Sequence, residues 1–211
     1  EFSIKSMKVA SIFGLISLLV VIATGDKSAY QVAQIQPMKL AAMEGLYDGT
    51  KSAPLVAIGI LNPDKNIHNE EPPYLFEFSI PYALSYLAGH DFNAFVPGIN
   101  DLLKDFPEKQ AKGKLAIQSL QAYTEAKNAG DTANAAIHKK TLEENFNYFG
   151  YGYLEKPEDA VPNVPIVFYA FRIMVILGSF FIAFFLINLW LTKKQQYPQW
   201  WLMLTILSVP L

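Results

Sequence analysis

Ile166–Thr192, IVFYAFRIMVILGSFFIAFFLINLWLT, decides how the rest of this chain is read. It is a 27-residue run with one formal charge, Arg172. At about 1.5 Å per residue, a helix of that length reaches roughly 40 Å, enough to cross a bilayer with some tilt. Helices buried in water-soluble cores are rarely this long and apolar on every face. Lys193 and Lys194 follow at once and read as a cytoplasmic membrane-edge anchor. Two residues inside the run carry chemistry: the cation Arg172 and the thioether of Met174. A charge within a spanning helix is costly and marks a functional position with a partner elsewhere.

Working outward, Val9–Thr24 (VASIFGLISLLVVIAT) is a second apolar run, preceded by Lys5 and Lys8. Alone it reads equally well as a short span or as a secretory signal ending near Ala23-Thr24-Gly25. The chain starts EFSIK and stops within an apolar run, so it reads as a piece of a longer protein. Lysines lie beyond both spans on the side away from the intervening residues, so the positive-inside rule puts those residues outside the cytoplasm. After the turn at Lys193–Pro198, Gln199–Leu211 carries the interfacial pair Trp200-Trp201 and reads as the start of a further span. The expected segments are therefore 1–25, a transmembrane helix; 26–165, an extracytoplasmic loop; 166–192, a transmembrane helix; 193–198, a cytoplasmic turn; and 199–211, the start of another span. The expected fold class is an all-α membrane protein whose transmembrane helices flank a large, mostly helical loop.

Punctuation organises the loop. Pro37 sits in the first turn of a short helix that ends near Gly45 or Gly49. Leu55–Leu61 reads as extended, closed by Asn62-Pro63-Asp64, and Pro72-Pro73 breaks the chain again. Pro81–Ala88 reads as a helix stopped by Gly89. Glu108–Asn128 and Asp131–Phe149 read as a helical hairpin with Asp131 as N-cap, with Leu115, Leu120 and Tyr123 facing Ile137, Leu142 and Phe146 as its buried stripes.

Composition excludes several chemistries. The chain has no cysteine, which removes disulfides, thiolate metal sites, iron–sulfur clusters and covalent haem attachment. A net charge of −2 gives no reason to expect nucleic acid. His68, His90 and His138 lack ligand spacing and read as surface histidines, and Glu70-Glu71 reads as a solvated pair. Lys39 and Glu44 lie in QPMKLAAMEG, a short helix just outside a span. Five positions apart is about 140° of helical rotation, so they make no i,i+4 pair. On spacing alone an ordinary solvated helix is the favoured reading, and convergence on one ligand is the other.

Gly25-Asp26, QPMKLAAMEG at Gln36–Gly45, IPYALSYLAG at Ile80–Gly89, Gly150-Tyr151-Gly152 and FYAFRIMVILG at Phe168–Gly178 stand in the order of one family. The chain resembles subunit I of cytochrome bd-type quinol oxidases over nearly its whole length. The resemblance implies a subunit of a respiratory oxidase in the bacterial cytoplasmic membrane. It implies oxidation of ubiquinol or menaquinol at the outer face and passage of electrons through haem b towards oxygen. By resemblance Lys39 and Glu44 match residues linked to quinol oxidation. Met174 matches an axial ligand of low-spin haem b, and Arg172 an arginine beside that haem. A further haem b, haem d and a subunit II partner are implied for the full-length protein. The hairpin at 108–149 falls where long-loop members carry extra sequence. Tyr47 departs from a pattern that has tryptophan in many members. Arg172 and Met174, two apart, stand about 200° apart on a regular helix. A two-span receptor with an extracytoplasmic sensing domain is the alternative. It would place a soluble signalling domain after Lys194, where this chain continues into WWLMLTIL.

Overall fold

A computed structural model describes residues 2–194 and 197–208. Two long helices frame it, α1 (Phe2–Ile35) and α7 (Val164–Lys194), packed along one another. Both are long and apolar enough to cross a membrane. Only 6% and 11% of the residues in their most apolar stretches are buried within the chain, unlike the core helices of a water-soluble domain. α1 runs on through Gly25-Asp26 to Ile35, ten residues past the expected boundary. The parts of the expected segments that fall on residues 1, 195–196 and 209–211 lie outside the described residues.

Between them the chain builds a layer of short elements on the outer turns of α7. α2 (Pro37–Glu44) begins with proline at its first position and ends at Gly45, whose φ of +61° closes the helix in the left-handed region. The Leu46 amide then returns to the Ala41 carbonyl at 2.9 Å. β1 (Thr50–Lys51) pairs with β4 (Phe95–Val96), and β2 (Leu55–Leu61) pairs antiparallel with β3 (Tyr74–Ile80), placing Ile58 opposite Phe78. The extended reading of Leu55–Leu61 thus holds; its partner strand was not anticipated. α3 (Ala83–Gly89) is tied to the chain before β2 by Ser85, whose hydroxyl accepts from the Ala53 amide and donates to the Ala94 carbonyl, both at 2.7 Å. α4 (Ile99–Lys104) leads into the hairpin of α5 (Phe106–Asn128) and α6 (Thr132–Asn145), and 3-10 turns at Phe146–Tyr153 and Pro157–Ala160 return the chain to α7.

Asp131 caps α6 as expected, accepting from the Asn134 amide at 3.1 Å. The expected apolar stripes of the hairpin are corrected in part: Tyr123 and Leu142 are half-buried, but Leu115, Leu120, Ile137 and Phe146 are exposed, and the buried positions are Phe106, Gly113, Ala116, Ser119 and Ala135. The cause is close backbone packing. A Cβ at Gly113 would lie 2.3 Å from the Gly152 nitrogen, so α5 meets the following 3-10 turn through small residues rather than through a leucine seam.

At the other end, α8 (Gln199–Leu207) folds back on α7. The Trp201 indole donates to the buried Asn188 side chain at 2.8 Å, and Trp201 stacks on Phe184 with centroids 5.2 Å apart. Nearer the loop, one core gathers Ala41, Ala42, Val56, Ile99 and Phe168, which locks α2 and β2 onto the first turns of α7. That core positions the candidate site.

Candidate functional site

Arg172 is the centre of the site. It lies on the α7 face that also carries Phe168, one turn earlier, and its guanidinium sits 3.7 Å from that ring's centroid. It is 5% exposed, so each of its N–H groups needs a partner inside the protein. Nη2 donates to the Glu44 carboxylate at 2.8 Å and to the Val56 carbonyl at 3.0 Å. Nη1 donates to the Met43 carbonyl. One side chain thereby binds the carboxylate and a last-turn carbonyl of α2 and the backbone of β2. Nε is buried with no partner among the described residues.

Glu44 is 2% exposed. Burial pushes its carboxyl from 4.5 up to about 7, against the charge and hydrogen bond of Arg172, which pull it down. Desolvation outweighs the pairing, so the carboxyl lies well above the usual carboxylate range while held in place. Tyr74, at the start of β3, donates its hydroxyl to the Glu44 backbone carbonyl. Burial, and then the nearby Glu44 charge, raise that phenol well above its usual range, so it remains a donor.

Against this polar cluster lies a cavity of about 330 Å³, lined on different sides by Lys39 and Glu44 of α2, Ser28 of α1, Leu84 of α3, and Phe171 and Met174 of α7. Lys39 and Glu44, about 140° apart on α2, therefore both reach one space. Lys39 is exposed and Glu44 is not. Met174 is 60% exposed and presents its thioether to the cavity, whereas Arg172 turns to the other side of α7 to hold Glu44. α7 is continuous through both residues, so they stand on different faces, as their spacing requires.

Sequence reasoning missed three contributors. Phe168 was legible as the residue one turn before Arg172. Tyr74 and the Val56 carbonyl carry no local signal, because their roles arise only from the folding of the β2–β3 hairpin onto α7. The histidines stay outside the site. His68 lies 3.3 Å from Glu158 and His90 lies 3.6 Å from Asp26, all with substantially exposed side chains. Among the described residues no group of three or more His, Cys, Asp or Glu side chains could hold a metal. Met174 at the cavity wall carries a thioether of the kind that can bind haem iron, whereas Arg172, on the other face of α7, does not line that cavity. Tyr47 is buried beneath the Lys65 ammonium, 4.9 Å from its ring centroid, so tyrosine fills this part of the loop core.

The family model described as Cytochrome bd terminal oxidase subunit I matches residues 1–211. The chain is 29% identical over 222 residues to Cytochrome bd-II ubiquinol oxidase subunit 1 of Escherichia coli (strain K12), covering 99% of this chain and 42% of that protein. It is 29% identical over 211 residues to Cytochrome bd ubiquinol oxidase subunit 1 of Bacillus subtilis (strain 168), covering 98% of this chain and 34% of that protein. The chain therefore spans less than half the length of these curated relatives. A solved bd oxidase from Geobacillus thermodenitrificans matches at 25% identity over 89% of this chain and 48% of that one, with a TM-score of 0.35.

Removing one partner of a buried pair strands the other charge, at a cost of about 3–5 kcal/mol. Arg172→Met in the full-length protein is expected to lower thermal stability strongly, and adding Glu44→Gln is expected to recover part of that loss. Unfolding midpoints of the two single variants and the double variant check this; purely additive effects would show that the pair is not coupled.

Proposed function

The chain belongs to the cytochrome bd terminal oxidase subunit I family, and from that premise we propose that the cavity between α1, α2, α3 and α7 is a site of quinol oxidation, with Glu44 as proton acceptor. The supporting observation is one buried carboxylate, raised to about 7, at the wall of an otherwise apolar cavity that also carries a lysine. A flat apolar ring with polar oxygens needs this combination: apolar walls for the ring and a few placed polar groups for the oxygens.

Oxidising a quinol to a quinone releases two protons and two electrons. The Glu44 carboxylate takes one proton from a quinol hydroxyl while Arg172 keeps that carboxylate oriented through its hydrogen bond, and the second hydroxyl releases its proton to water at the open side of the cavity. The Lys39 ammonium steadies negative charge on the oxygen as its proton leaves. A protonated Glu44 is neutral and loses its ionic attraction to Arg172, yet the guanidinium remains fixed by the Met43 and Val56 carbonyls. Deprotonation to the outside then resets the base. The apolar side of the cavity, with Phe171, Leu84 and Leu55, holds the ring and excludes water.

By family resemblance Met174 would hold low-spin haem b through its thioether, with Arg172 as an arginine beside that haem. A haem b held there would supply a one-electron acceptor for the quinol's electrons. Further haem b and haem d, and a subunit II, belong to the whole oxidase on this reading. The loop at 26–165 faces the outer side of the bacterial cytoplasmic membrane, since Lys5, Lys8, Lys193 and Lys194 lie at the opposite ends of both spans. The receptor alternative has no counterpart in the family match.

In the full-length oxidase, Glu44→Gln is expected to lower quinol turnover about a hundredfold or more, the usual contribution of a positioned base. Lys39→Ala is expected to lower it about tenfold, with haem content near normal in both. Wild-type turnover is expected to rise with pH through about 7, because the raised carboxyl becomes a base only above that value, and Glu44→Gln should flatten this limb. Wild-type turnover in both variants would remove quinol chemistry from α2.

Met174→Leu conserves volume and apolarity, so the fold is expected to survive. The low-spin haem b absorption band is expected to be lost or converted towards high spin. An unchanged band at wild-type potential would rule out Met174 as a ligand.

A further inference from the structure

One wall of the cavity remains without a role. α1 contributes Val21, Gly25, Ser28, Ala29 and Val32, positions that recur at helical spacing and form one face of that helix. Its middle is small. A Cβ placed on Gly25 would have no atom within 4 Å, so the cavity opens directly onto the α1 backbone. Lys39, Glu44 and Ser28 are the polar side chains among the lining residues, and the first two both come from α2. Ser28 comes from the other wall. It is exposed, and its hydroxyl makes no hydrogen bond among the described residues, so it is free to meet a molecule in the cavity. Thr24, one turn earlier, folds its hydroxyl back onto the Val20 and Val21 carbonyls at 2.9 and 3.0 Å.

A quinol carries two hydroxyls at opposite ends of its ring. Groups from α2 serve one end. The other end meets the largely apolar α1 wall, where an oxygen left without a partner weakens binding. We propose that Ser28 is the hydrogen-bond partner of the second quinol oxygen, and that Gly25 provides the clearance that lets the ring lie against α1. The inference rests on the reading of this cavity as the quinol site and adds its second anchor. Ser28 is a substrate-positioning residue: it accepts from or donates to the far oxygen and takes no proton away.

The test uses the purified full-length oxidase with a short-chain quinol as the varied substrate. Ser28→Ala is expected to raise KM about three- to tenfold, with kcat within about twofold of wild type and an unchanged haem spectrum. Ser28→Asn keeps a hydrogen-bonding side chain at this position and should raise KM less than Ser28→Ala does. At Gly25→Leu the added Cβ meets no protein atom, and glycine is replaced by a better helix former, so the variant should fold. It fills the ring's space, and quinol turnover should collapse while chemical reductants still reduce the haems. A silent Ser28→Ala overturns the proposed hydrogen bond, even where Gly25→Leu blocks turnover. Glu44→Gln and Lys39→Ala in the same preparations separate the two failures. If they impair turnover while Ser28→Ala is silent, only the second anchor fails. If none of the substitutions changes turnover, the cavity is not the quinol site and the inference falls with it.

Discussion

A guanidinium shut away from water must be satisfied by its neighbours, and the loop of this protein is arranged around that requirement. Arg172 enters from a membrane-spanning helix and engages the Glu44 carboxylate, the Met43 carbonyl and the Val56 carbonyl. These contacts bring together residues more than a hundred positions apart in the chain. They fix the end of α2 and the start of β2 against α7, and the Phe168 ring closes the other side of the cation. Desolvating such a pair is expensive, and its net worth to stability is modest when both partners are present. Its consequence is geometric: a carboxylate is held at one point of an apolar wall with its proton affinity raised into the neutral range.

That geometry separates two tasks. On the cavity side, Lys39, Glu44 and an apolar enclosure suit a ring with exchangeable protons. On the far side, the backbone carbonyls and Tyr74 hold the end of α2 whichever protonation state Glu44 adopts. A base that titrates near neutral pH without losing its position is what repeated proton transfer requires. Met174 faces the same cavity from α7, so the residue expected to bind haem and the residue expected to take the proton border one space. The family match gives that arrangement its chemical context.

Much of the architecture was legible from local rules. The apolar run of α7 with its lysine pair, Pro37 and Gly45 bracketing α2, and Asp131 capping α6 each express a nearby physical preference. The failures share a cause. The α5–α6 stripe was read from leucine and isoleucine spacing, but contact is made by Gly113 and Ala116 because the backbone of the 3-10 turn comes too close for larger residues. The strand at Tyr74–Ile80 acquires its identity from pairing with Leu55–Leu61. For the site, residue types picked out Arg172 as needing a partner, and family order picked out Glu44. No spacing rule joins positions 44 and 172; only the folded loop does.

Whether Glu44 is a buried carboxyl that titrates in contact with bound quinol can be read directly by infrared difference spectroscopy of the full-length oxidase against its Glu44→Gln variant. The expected result is a protonated-carboxyl band assigned to Glu44 that titrates near pH 7 and shifts when a quinol analogue binds. A Glu44 band that titrates in the ordinary carboxylate range near 4.5 and ignores the analogue would contradict it.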